Sequence, residues 1–430
     1  MSKGLQEALG VLRSVGGVDE LRGLAEVGLA PLARPGVNSH IHLPPNFSAF
    51  ETVGQAVELA QAQGVALLGV TNYYDYEVYG EFASQAIRRG VFPLFGLEIV
   101  SLIAGLQAGG VRVNDPGNPG RMYLCGKGAV GVAAPSERAA ELVERIRRND
   151  TERMAEMTAK VAEIFAAAGL DAEVDDGDVI DMIVARHGSD RKSVVIQERH
   201  IAQFFQQLFF QQVPEESRPA KLAEILGGPS LAGPGEAVKI QGEIRSALMK
   251  AGKAAFVAEV FLNFEEAYEL ILALQAVPCY PTLADGTSPV CDFERTPEKL
   301  IDELKTRGIH MAEFIPLRNS PEVLGQYVRA MRAAGIAVVG GTEHNTLDLI
   351  GLEPACQNNQ PLPADVREIF YEGMCVAAAH QFLVLHGQCG FVDEKGTPAG
   401  QFDSAEARIK SFAKLGLAVI EKFYQQHGRV

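Results

Sequence analysis

Short apolar runs alternate with helical patterns over most of the chain. Strands are predicted at residues 37–42, 66–71, 92–100, 122–125, 276–280, 309–315 and 336–342. Helical patterns are predicted between them at residues 50–63, 78–89, 264–274, 296–306 and 321–334. Units of strand and crossover helix build largely parallel sheets, so the pattern predicts an α/β fold. About seven such units suit either a barrel or a doubly wound sheet.

Long helical spacing interrupts this alternation. Residues 136–168 carry apolar positions at steps of three and four, no strand intervenes before residue 255, and residues 4–29, 364–387 and 403–426 also have helical patterns. We therefore predict an N-terminal helical extension at 1–35, a strand-and-helix domain at 36–134 and 256–350, a helical insertion at 135–255 and a C-terminal helical segment at 351–430.

Composition narrows the class of protein. The chain has 430 residues, of which 47% are hydrophobic and 22% charged, which is ordinary globular usage. A formal net charge of −15 repels phosphate backbones and anionic lipid, so we expect neither a nucleic-acid nor a membrane partner. The expected partner is a small molecule, and the oligomeric state is left open.

The cysteines and the N-terminus indicate a cellular compartment. The six cysteines form no CxxC pair and no dense framework, which is typical of reduced thiols. The first residues lack the apolar core of a signal peptide, and no stretch reaches the roughly 18 apolar residues of a membrane span. We therefore expect a cytoplasmic protein.

Two histidines close the first predicted strand. His40 and His42 are two residues apart, so on a strand both imidazoles project to one face and could share a metal ion. The alternative is that both are polar residues hydrogen-bonded at a barrel mouth. Their spacing at a strand end favours the role of metal ligands.

Carboxylates mark two further strands. Glu98 interrupts an apolar strand, where an uncompensated charge would be costly, so a metal ion or an ion pair with Arg or Lys should be its partner. Glu343 and His344 follow the last predicted strand and again place a carboxylate and an imidazole at a strand exit. The preceding Gly-Gly pair does not belong to any phosphate-binding glycine motif.

The order of these segments resembles the PHP family (polymerase and histidinol phosphatase), a set of metal-dependent phosphoesterases. The resemblance spans roughly residues 36–346. The His-x-His of His40 and His42 looks like the family's first metal motif, and residues 96–99 resemble its Gly-x-Glu strand. The resemblance implies a distorted TIM-like (β/α)7 barrel of PHP type, with a helical insertion and helical extensions at both ends.

Several positions depart from the family pattern. No acidic residue occurs at 43–48, where one is expected after the first motif. Tyr73 replaces the histidine of the second motif, Tyr123 and Tyr280 fall where further histidines are expected, and Asn345 takes the place of the last one. A trinuclear metal centre is therefore not expected.

The resemblance, with these departures, leaves one compact ligand set. The predicted metal ligands are His40, His42, Glu98 and Glu343, enough for one divalent ion, Zn, Mn or Fe, with a position open for water. Neutral tyrosines are poor ligands because a phenol ionises near pH 10. The predicted catalytic residues are Glu343 and His344. His344 could be a fifth ligand or a general base, or it could point away from the site.

The remaining candidates concern the substrate. The segment with Arg199 and His200 resembles the family's Arg-x-His-x-Ala segment, although a solvated helix start is an alternative interpretation. The predicted substrate contacts are Arg199, His200, Arg318, Lys127, Tyr73 and Tyr280. An arginine suits bidentate contact with a phosphate or carboxylate, so the expected substrate is anionic.

These residues are compatible with two functions. The favoured hypothesis is a hydrolase in which one divalent ion activates water against a phosphate ester or a carbonyl. The alternative is a catalytically inactive PHP-like module that binds a ligand or a protein, since several expected histidines are replaced.

Overall fold

The computed structural model describes residues 3–27, 35–400 and 402–429. It divides into two compact units. The first comprises Met1–Leu43, Thr52–Val143 and Phe261–Val430, and the second comprises Pro44–Glu51 and Glu144–Val260. The four domain ranges predicted from the sequence stay a prediction. Residues 28 and 29, at the end of the predicted N-terminal helices, lie outside the described residues.

The strands of the first unit agree closely with the apolar runs. They are β1 Gly36–Ile41, β2 Val65–Val70, β3 Phe92–Leu102, β4 Arg121–Lys127, β5 Leu262–Asn263, β6 Val277–Thr282, β7 Met311–Phe314 and β8 Ala337–Gly340. Every residue of β2 is buried, as is nearly all of β3. Strands covered on both faces have continuous apolar sequences, which explains why the runs do not alternate with polar residues.

Helices follow most of the strands. They are α1 Lys3–Arg13, α2 Val18–Val27, α3 Val53–Ala62, α4 Tyr79–Arg88, α5 Ala104–Ala108, α6 Glu137–Ala167, α7 Asp176–His187, α8 Glu198–Gln212, α9 Arg218–Leu226, α10 Ala237–Ile244, α11 Phe264–Ala273, α12 Pro297–Thr306, α13 Pro321–Ala333, α14 Ala364–Leu385 and α15 Ala405–His427. Several begin with a side-chain cap: Thr52, Thr296 and Ser320 each accept a hydrogen bond from a backbone N–H of the first turn.

The sheet of the first unit is a nearly closed barrel. Seven strands lie in the order β1, β2, β3, β4, β6, β7 and β8, and the two-residue β5 pairs with β3. Backbone bonds then connect the segment after β8 to β1, since His40 O accepts from Glu343 N at 2.8 Å and His42 N donates to Glu343 O at 2.8 Å. The fold is therefore a distorted TIM-like barrel with helical extensions, which confirms the fold predicted from the resemblance.

One strand runs against the others. β4 is antiparallel to both β3 and β6, whereas the other neighbouring pairs are parallel. Between β3 and β4 the chain has only the five-residue α5 and a turn-rich segment, without the longer helix that usually accompanies a parallel crossover. The expectation of a largely parallel sheet is correct apart from this strand.

The C-terminal helices α14 and α15 belong to the first unit and pack closely together. Gly416 of α15 lies so near α14 that a Cβ there would be 1.8 Å from the carbonyl oxygen of Cys375. The helix backbones can approach this closely only because glycine has no side chain. Most of α14 is buried, as expected of a helix covered on several sides.

The second unit is helical and has its own apolar core. The core includes Met157, Phe165, Phe205, Phe209 and Ile240, all fully buried. The rings of Phe165 and Phe205 have centroids 4.8 Å apart, the distance of a favourable aromatic pair. A π-helical turn at Arg245–Met249 follows α10.

In the described part of the chain, no helix combines the length and the apolar character that a membrane-spanning segment needs.

Candidate metal centre

Three buried side chains meet at the carboxyl end of β1. The Nε2 atoms of His40 and His42 are 3.2 Å apart. Oε2 of Glu98 lies 3.4 Å from Nε2 of His40 and 3.3 Å from Nε2 of His42. Two nitrogens and one oxygen therefore form a nearly equilateral triangle of possible metal ligands.

Local backbone contacts hold these residues in place. Glu98 lies in the middle of β3, and its backbone N–H donates to the carbonyl of Asn72 at 3.2 Å. The side chain of Asn72 in turn accepts from Leu43 N at 2.8 Å and donates to Leu43 O at 3.0 Å. The loop after β2 is thus hydrogen-bonded to the segment after β1, at the residue that follows His42.

Tyr73 forms a hydrogen bond with the second carboxylate oxygen of Glu98. Its hydroxyl donates to Glu98 Oε1 at 3.1 Å, and its ring stacks on His42 with centroids 5.1 Å apart and planes 13° from parallel. Burial raises the pKa of Tyr73 well above its ordinary value, so the phenol stays protonated and acts as a donor. The predicted substrate contact at Tyr73 is thereby placed against two of the predicted metal ligands.

The charges of the three residues depend on one another. Burial by itself would raise the pKa of Glu98, but His40 and His42 outweigh it and lower that pKa far below its ordinary value. Burial lowers the pKa of His42. Burial also opposes the charge of His40, yet the carboxylate of Glu313 raises its pKa to about 9. Glu98 is therefore a carboxylate at neutral pH.

Glu313 is a functional candidate that the sequence reasoning missed. It lies on β7, is fully buried, and places Oε1 2.7 Å from Nδ1 of His40. Its other oxygen is 2.6 Å from Nζ of Lys127. The signal that singled out Glu98, a carboxylate inside an apolar strand, is present at Glu313 as well, and could have identified it.

The same neighbourhood contains a second possible ligand group. Cys125 of β4 offers its Sγ close to His40 and Glu313. Burial raises the pKa of the Cys125 thiol well above its ordinary value, which disfavours the thiolate that metal binding needs. The cation of Lys127, in contact with Glu313, also disfavours a second positive charge there.

Glu343 does not join the triangle. Its carboxylate oxygen Oε2 accepts from Arg318 and, at 2.7 Å, from Nδ2 of Asn345. Its backbone has a left-handed φ of 61°. The structure therefore brings together three of the four predicted ligands and pairs the fourth with Arg318, while the predicted roles of Glu343 in metal binding and catalysis stay predictions.

His344 has both ring nitrogens engaged. Nδ1 lies 2.7 Å from the hydroxyl oxygen of Thr342, and Nε2 lies 3.0 Å from the carbonyl of Ile350. A carbonyl only accepts, so Nε2 carries the proton and Nδ1 accepts from Thr342. Burial lowers the pKa of His344 to about 4. A general base at this position would have to give up its bond from Thr342.

The other predicted substrate contacts in the first unit differ in their surroundings. Lys127 is buried and donates to Ser39 O at 3.0 Å and Thr71 Oγ1 at 3.3 Å in addition to its contact with Glu313. The hydroxyl of Tyr280 donates to the buried carboxylate of Glu294 at 2.8 Å. The polar groups of both side chains are therefore hydrogen-bonded to other groups of the protein. The roles of Lys127 and Tyr280 toward a substrate stay predictions.

Arg199 and His200 belong to the second unit. They lie in the first turn of α8, where Nδ1 of His200 accepts from the backbone N–H of Gln197 at 3.1 Å. The guanidinium of Arg199 is 5.9 Å from the ring centroid of Phe47, and the ring of His200 packs on the same phenylalanine. Burial lowers the pKa of His200 to about 3, so its imidazole is neutral. The predicted contacts of this pair with a substrate stay predictions.

Comparison with known proteins identifies the fold. No family model and no curated protein matches the sequence. A Bifidobacterium adolescentis protein, provisionally assigned as a metal-dependent phosphoesterase, is similar in structure, with a TM-score of 0.52 and 15% sequence identity. The match covers 79% of this chain and 96% of the Bifidobacterium chain. A Chromobacterium violaceum amidohydrolase, solved with bound sulfate and no metal, has 19% sequence identity and a TM-score of 0.49. That match covers 78% of this chain and 96% of the amidohydrolase chain. The likeness to the first shows the fold alone, a distorted TIM-like barrel, and fold by itself does not decide function.

Proposed function

We propose that the protein is a metal-dependent hydrolase of PHP type that uses one divalent ion to cleave a small anionic substrate, such as a phosphate ester. The observation that carries the proposal is the convergence of His40 Nε2, His42 Nε2 and Glu98 Oε2 in a buried cluster. Oε2 of Glu98 is buried and has no hydrogen-bond partner among the described residues, although both imidazoles contact it. Such an atom suits a cation as its partner.

The dimensions of the cluster fit zinc. Ligand atoms of a tetrahedral zinc ion with bonds of about 2.0–2.1 Å are about 3.3–3.4 Å apart. The separations of 3.2, 3.3 and 3.4 Å between the three atoms agree with that spacing. An octahedral ion with bonds of about 2.1 Å would bring neighbouring ligands to about 3.0 Å. Two imidazoles and one carboxylate are also a common zinc ligand set in hydrolases, with a fourth position open.

The surroundings support one ion rather than a multinuclear centre. A carboxylate commonly bridges two ions with both of its oxygens, but Oε1 of Glu98 already accepts from the hydroxyl of Tyr73. The histidines that would complete further sites in the PHP family are tyrosines at 73, 123 and 280. A neutral phenol does not replace an imidazole as a ligand.

The remaining side chains would act on the substrate. An ion held by His40, His42 and Glu98 would supply an activated water and polarise the scissile bond. Arg318 has a side chain that is 38% exposed, and its charge interacts with Glu98 as well as Glu343. It would hold the anionic group of the substrate through its remaining donors. Glu343 would accept the proton released in the reaction, if its carboxylate leaves Arg318.

Metal analysis tests the first half of this proposal. Protein purified without chelator and equilibrated with zinc should contain about one equivalent of the ion, and the double variant His40→Ala/His42→Ala should contain none. His386→Ala/His427→Ala is the matched control, because it removes two histidines that lie at the ends of α14 and α15. Equal zinc content in both double variants would refute a site at His40 and His42.

A substrate screen tests the second half. The zinc-loaded protein should hydrolyse at least one class among phosphomonoesters, phosphodiesters and lactones, and the double variant His40→Ala/His42→Ala should not. If zinc binds at one equivalent but every ester survives, hydrolysis is wrong even though the metal site exists.

A second candidate function is that of an inactive binding module, and one observation favours it. The buried cluster balances its charges without an ion: the pKa values of Glu98 and Glu313 are lowered, while those of His40 and Lys127 are raised. Two carboxylates then face two cations at neutral pH. Protein that takes up no zinc and keeps its fold would support this second function. A cytoplasmic location and the absence of a nucleic-acid partner also stay predictions.

A further inference from the structure

A buried ion pair lies behind His40, on the side of the ring away from Glu98. Glu313 Oε1 is 2.7 Å from Nδ1 of His40, and its Oε2 contacts Nζ of Lys127 at 2.6 Å. The hydroxyl of Ser39 also donates to Oε2 at 3.0 Å. All of these side chains are buried.

The position of Glu313 restricts the imidazole of His40. A carboxylate is only an acceptor, so Nδ1 of His40 must carry the hydrogen that bonds Glu313. In a neutral imidazole the lone pair is then on Nε2, the nitrogen that faces His42 and Glu98. Carboxylates that hold metal-bound histidines by the other ring nitrogen fix both the tautomer and the ring orientation.

Lys127 fixes the carboxylate in its turn. Its ammonium has three donors, and the described contacts use all of them, on Glu313, Ser39 O and Thr71 Oγ1. Oε2 of Glu313 is thus held by Lys127 of β4 and Ser39 of β1. The other oxygen, Oε1, is directed at His40. A buried ion pair of this kind adds little stability compared with well-packed apolar residues, so stability alone does not account for it.

We propose that Glu313, oriented by Lys127, is a positioning residue that presents Nε2 of His40 to a divalent ion. The inference rests on the proposed function, because it assigns a role toward the same ion. Glu313 and Lys127 themselves would not be ligands. The proposal assigns to β7 and β4 a part in the metal centre that neither the ligand triangle nor the family resemblance contains.

Two double variants test this role, and they differ in a single respect. Glu313→Leu/Lys127→Met and Glu313→Gln/Lys127→Met both remove the ion pair, but only the second keeps an oxygen that can accept from Nδ1 of His40. Zinc affinity is measured by competition with a chromophoric chelator, together with the visible absorption spectrum of the cobalt-substituted protein. The Leu variant should bind zinc about 10–100-fold more weakly than the wild type, and the Gln variant should recover most of that loss.

Each outcome decides between positioning and a purely structural role. Wild-type affinity in the Leu variant, or an equal loss in both variants, would overturn the proposal. If the wild type binds no zinc, the proposed function fails first, and that result is distinct. Should the Leu variant not fold, nitrogen NMR of the zinc-loaded wild type decides the matter: His40 should be protonated at Nδ1 and bound through Nε2, and binding through Nδ1 would overturn the proposal.

Discussion

Arg318 donates to the carboxylate of Glu343, and the backbone of Glu343 is hydrogen-bonded to the strand end that carries both histidines. Glu343 N donates to His40 O at 2.8 Å, and Glu343 O accepts from His42 N at 2.8 Å. One ion pair therefore connects a partly exposed cation to the backbone that closes the barrel. The arrangement places Arg318, the cation proposed to hold the substrate, near the residues proposed to hold the ion.

Replacing Arg318 tests this placement. Arg318→Met should weaken binding of inorganic phosphate to the zinc-loaded protein by about tenfold or more, because a hydrogen bond to a charged group contributes about 1.5–3 kcal/mol. Calorimetry or phosphate inhibition measures the change. Arg329→Met is the matched control, since Arg329 forms an exposed ion pair with Asp365 on α13 and α14. Equal phosphate affinity in the two variants would contradict a substrate role for Arg318.

A glycine beside His40 is the basis of a second prediction. A Cβ at Gly341 would lie 2.5 Å from Cβ of His40 and 2.8 Å from its backbone nitrogen, so Gly341→Ala must push β1 away from the segment after β8. We expect a loss of about 1–3 kcal/mol in the free energy of unfolding, as for overpacked sites, and weaker zinc binding. Denaturant unfolding and zinc competition measure these quantities.

Gly10→Ala is the control for that substitution. Gly10 lies in α1, and a Cβ at this position would have no neighbouring atom within 4 Å. Alanine in a helix interior should be neutral or stabilising by up to about 1 kcal/mol. Gly341→Ala with the stability and zinc affinity of Gly10→Ala would show that the contact with His40 is not tight.

Much of the fold is predictable from apolar spacing, but the closure of the barrel is not. Each of the seven predicted runs became a strand, and the predicted C-terminal helices at 364–387 and 403–426 lie within a few residues of α14 and α15. The spacing could not distinguish a barrel from a doubly wound sheet, because closure depends on backbone bonds of Thr342 and Glu343 with His40 and His42. Backbone pairing is not specific to a residue type, and only the resemblance to a known family indicated the barrel.

The candidate site could be predicted in part. The motif and the strand position of His40, His42 and Glu98 indicated that they share a site, and the structure brings them together. Glu313 was not predicted: like Glu98 it is a carboxylate inside an apolar strand, but no family motif accompanies it there. Glu343, the fourth predicted ligand, has a left-handed backbone and pairs with Arg318, and neither feature has a signal in the sequence. Its role in metal binding stays a prediction.

Metal removal leads to a third prediction. A ligand that binds only the folded state at a free concentration 100 times its Kd adds about 2.7 kcal/mol to the free energy of unfolding. Zinc should therefore slow amide hydrogen exchange in β1 and β3, and a chelator should reverse the effect. His386→Ala/His427→Ala should respond like the wild type, and His40→Ala/His42→Ala should not respond. Zinc protection that persists in the latter variant would indicate a different site.

Glu294 is the basis of a fourth prediction, on pH dependence. Its fully buried carboxylate accepts from Tyr280 and from the backbone N–H groups of Leu283 and Ala284, yet burial outweighs these donors and raises its pKa to about 7. The folded protein then holds this proton more tightly than the unfolded chain does. Between the ordinary carboxyl pKa of about 4.5 and about 7, stability should therefore fall as the pH rises, by at most about 1.4 kcal/mol per pH unit.

The variant Glu294→Gln isolates this group from the other titrating residues. Denaturant unfolding of wild type and variant at pH 5, 6, 7 and 8 gives the difference in the free energy of unfolding at each pH. Since glutamine does not ionise, the variant should lose less stability than the wild type between pH 5 and 7, and the difference should become constant above the folded pKa. A difference that does not change with pH would mean that Glu294 keeps an ordinary carboxyl pKa in the folded barrel, so that its three donors compensate fully for burial.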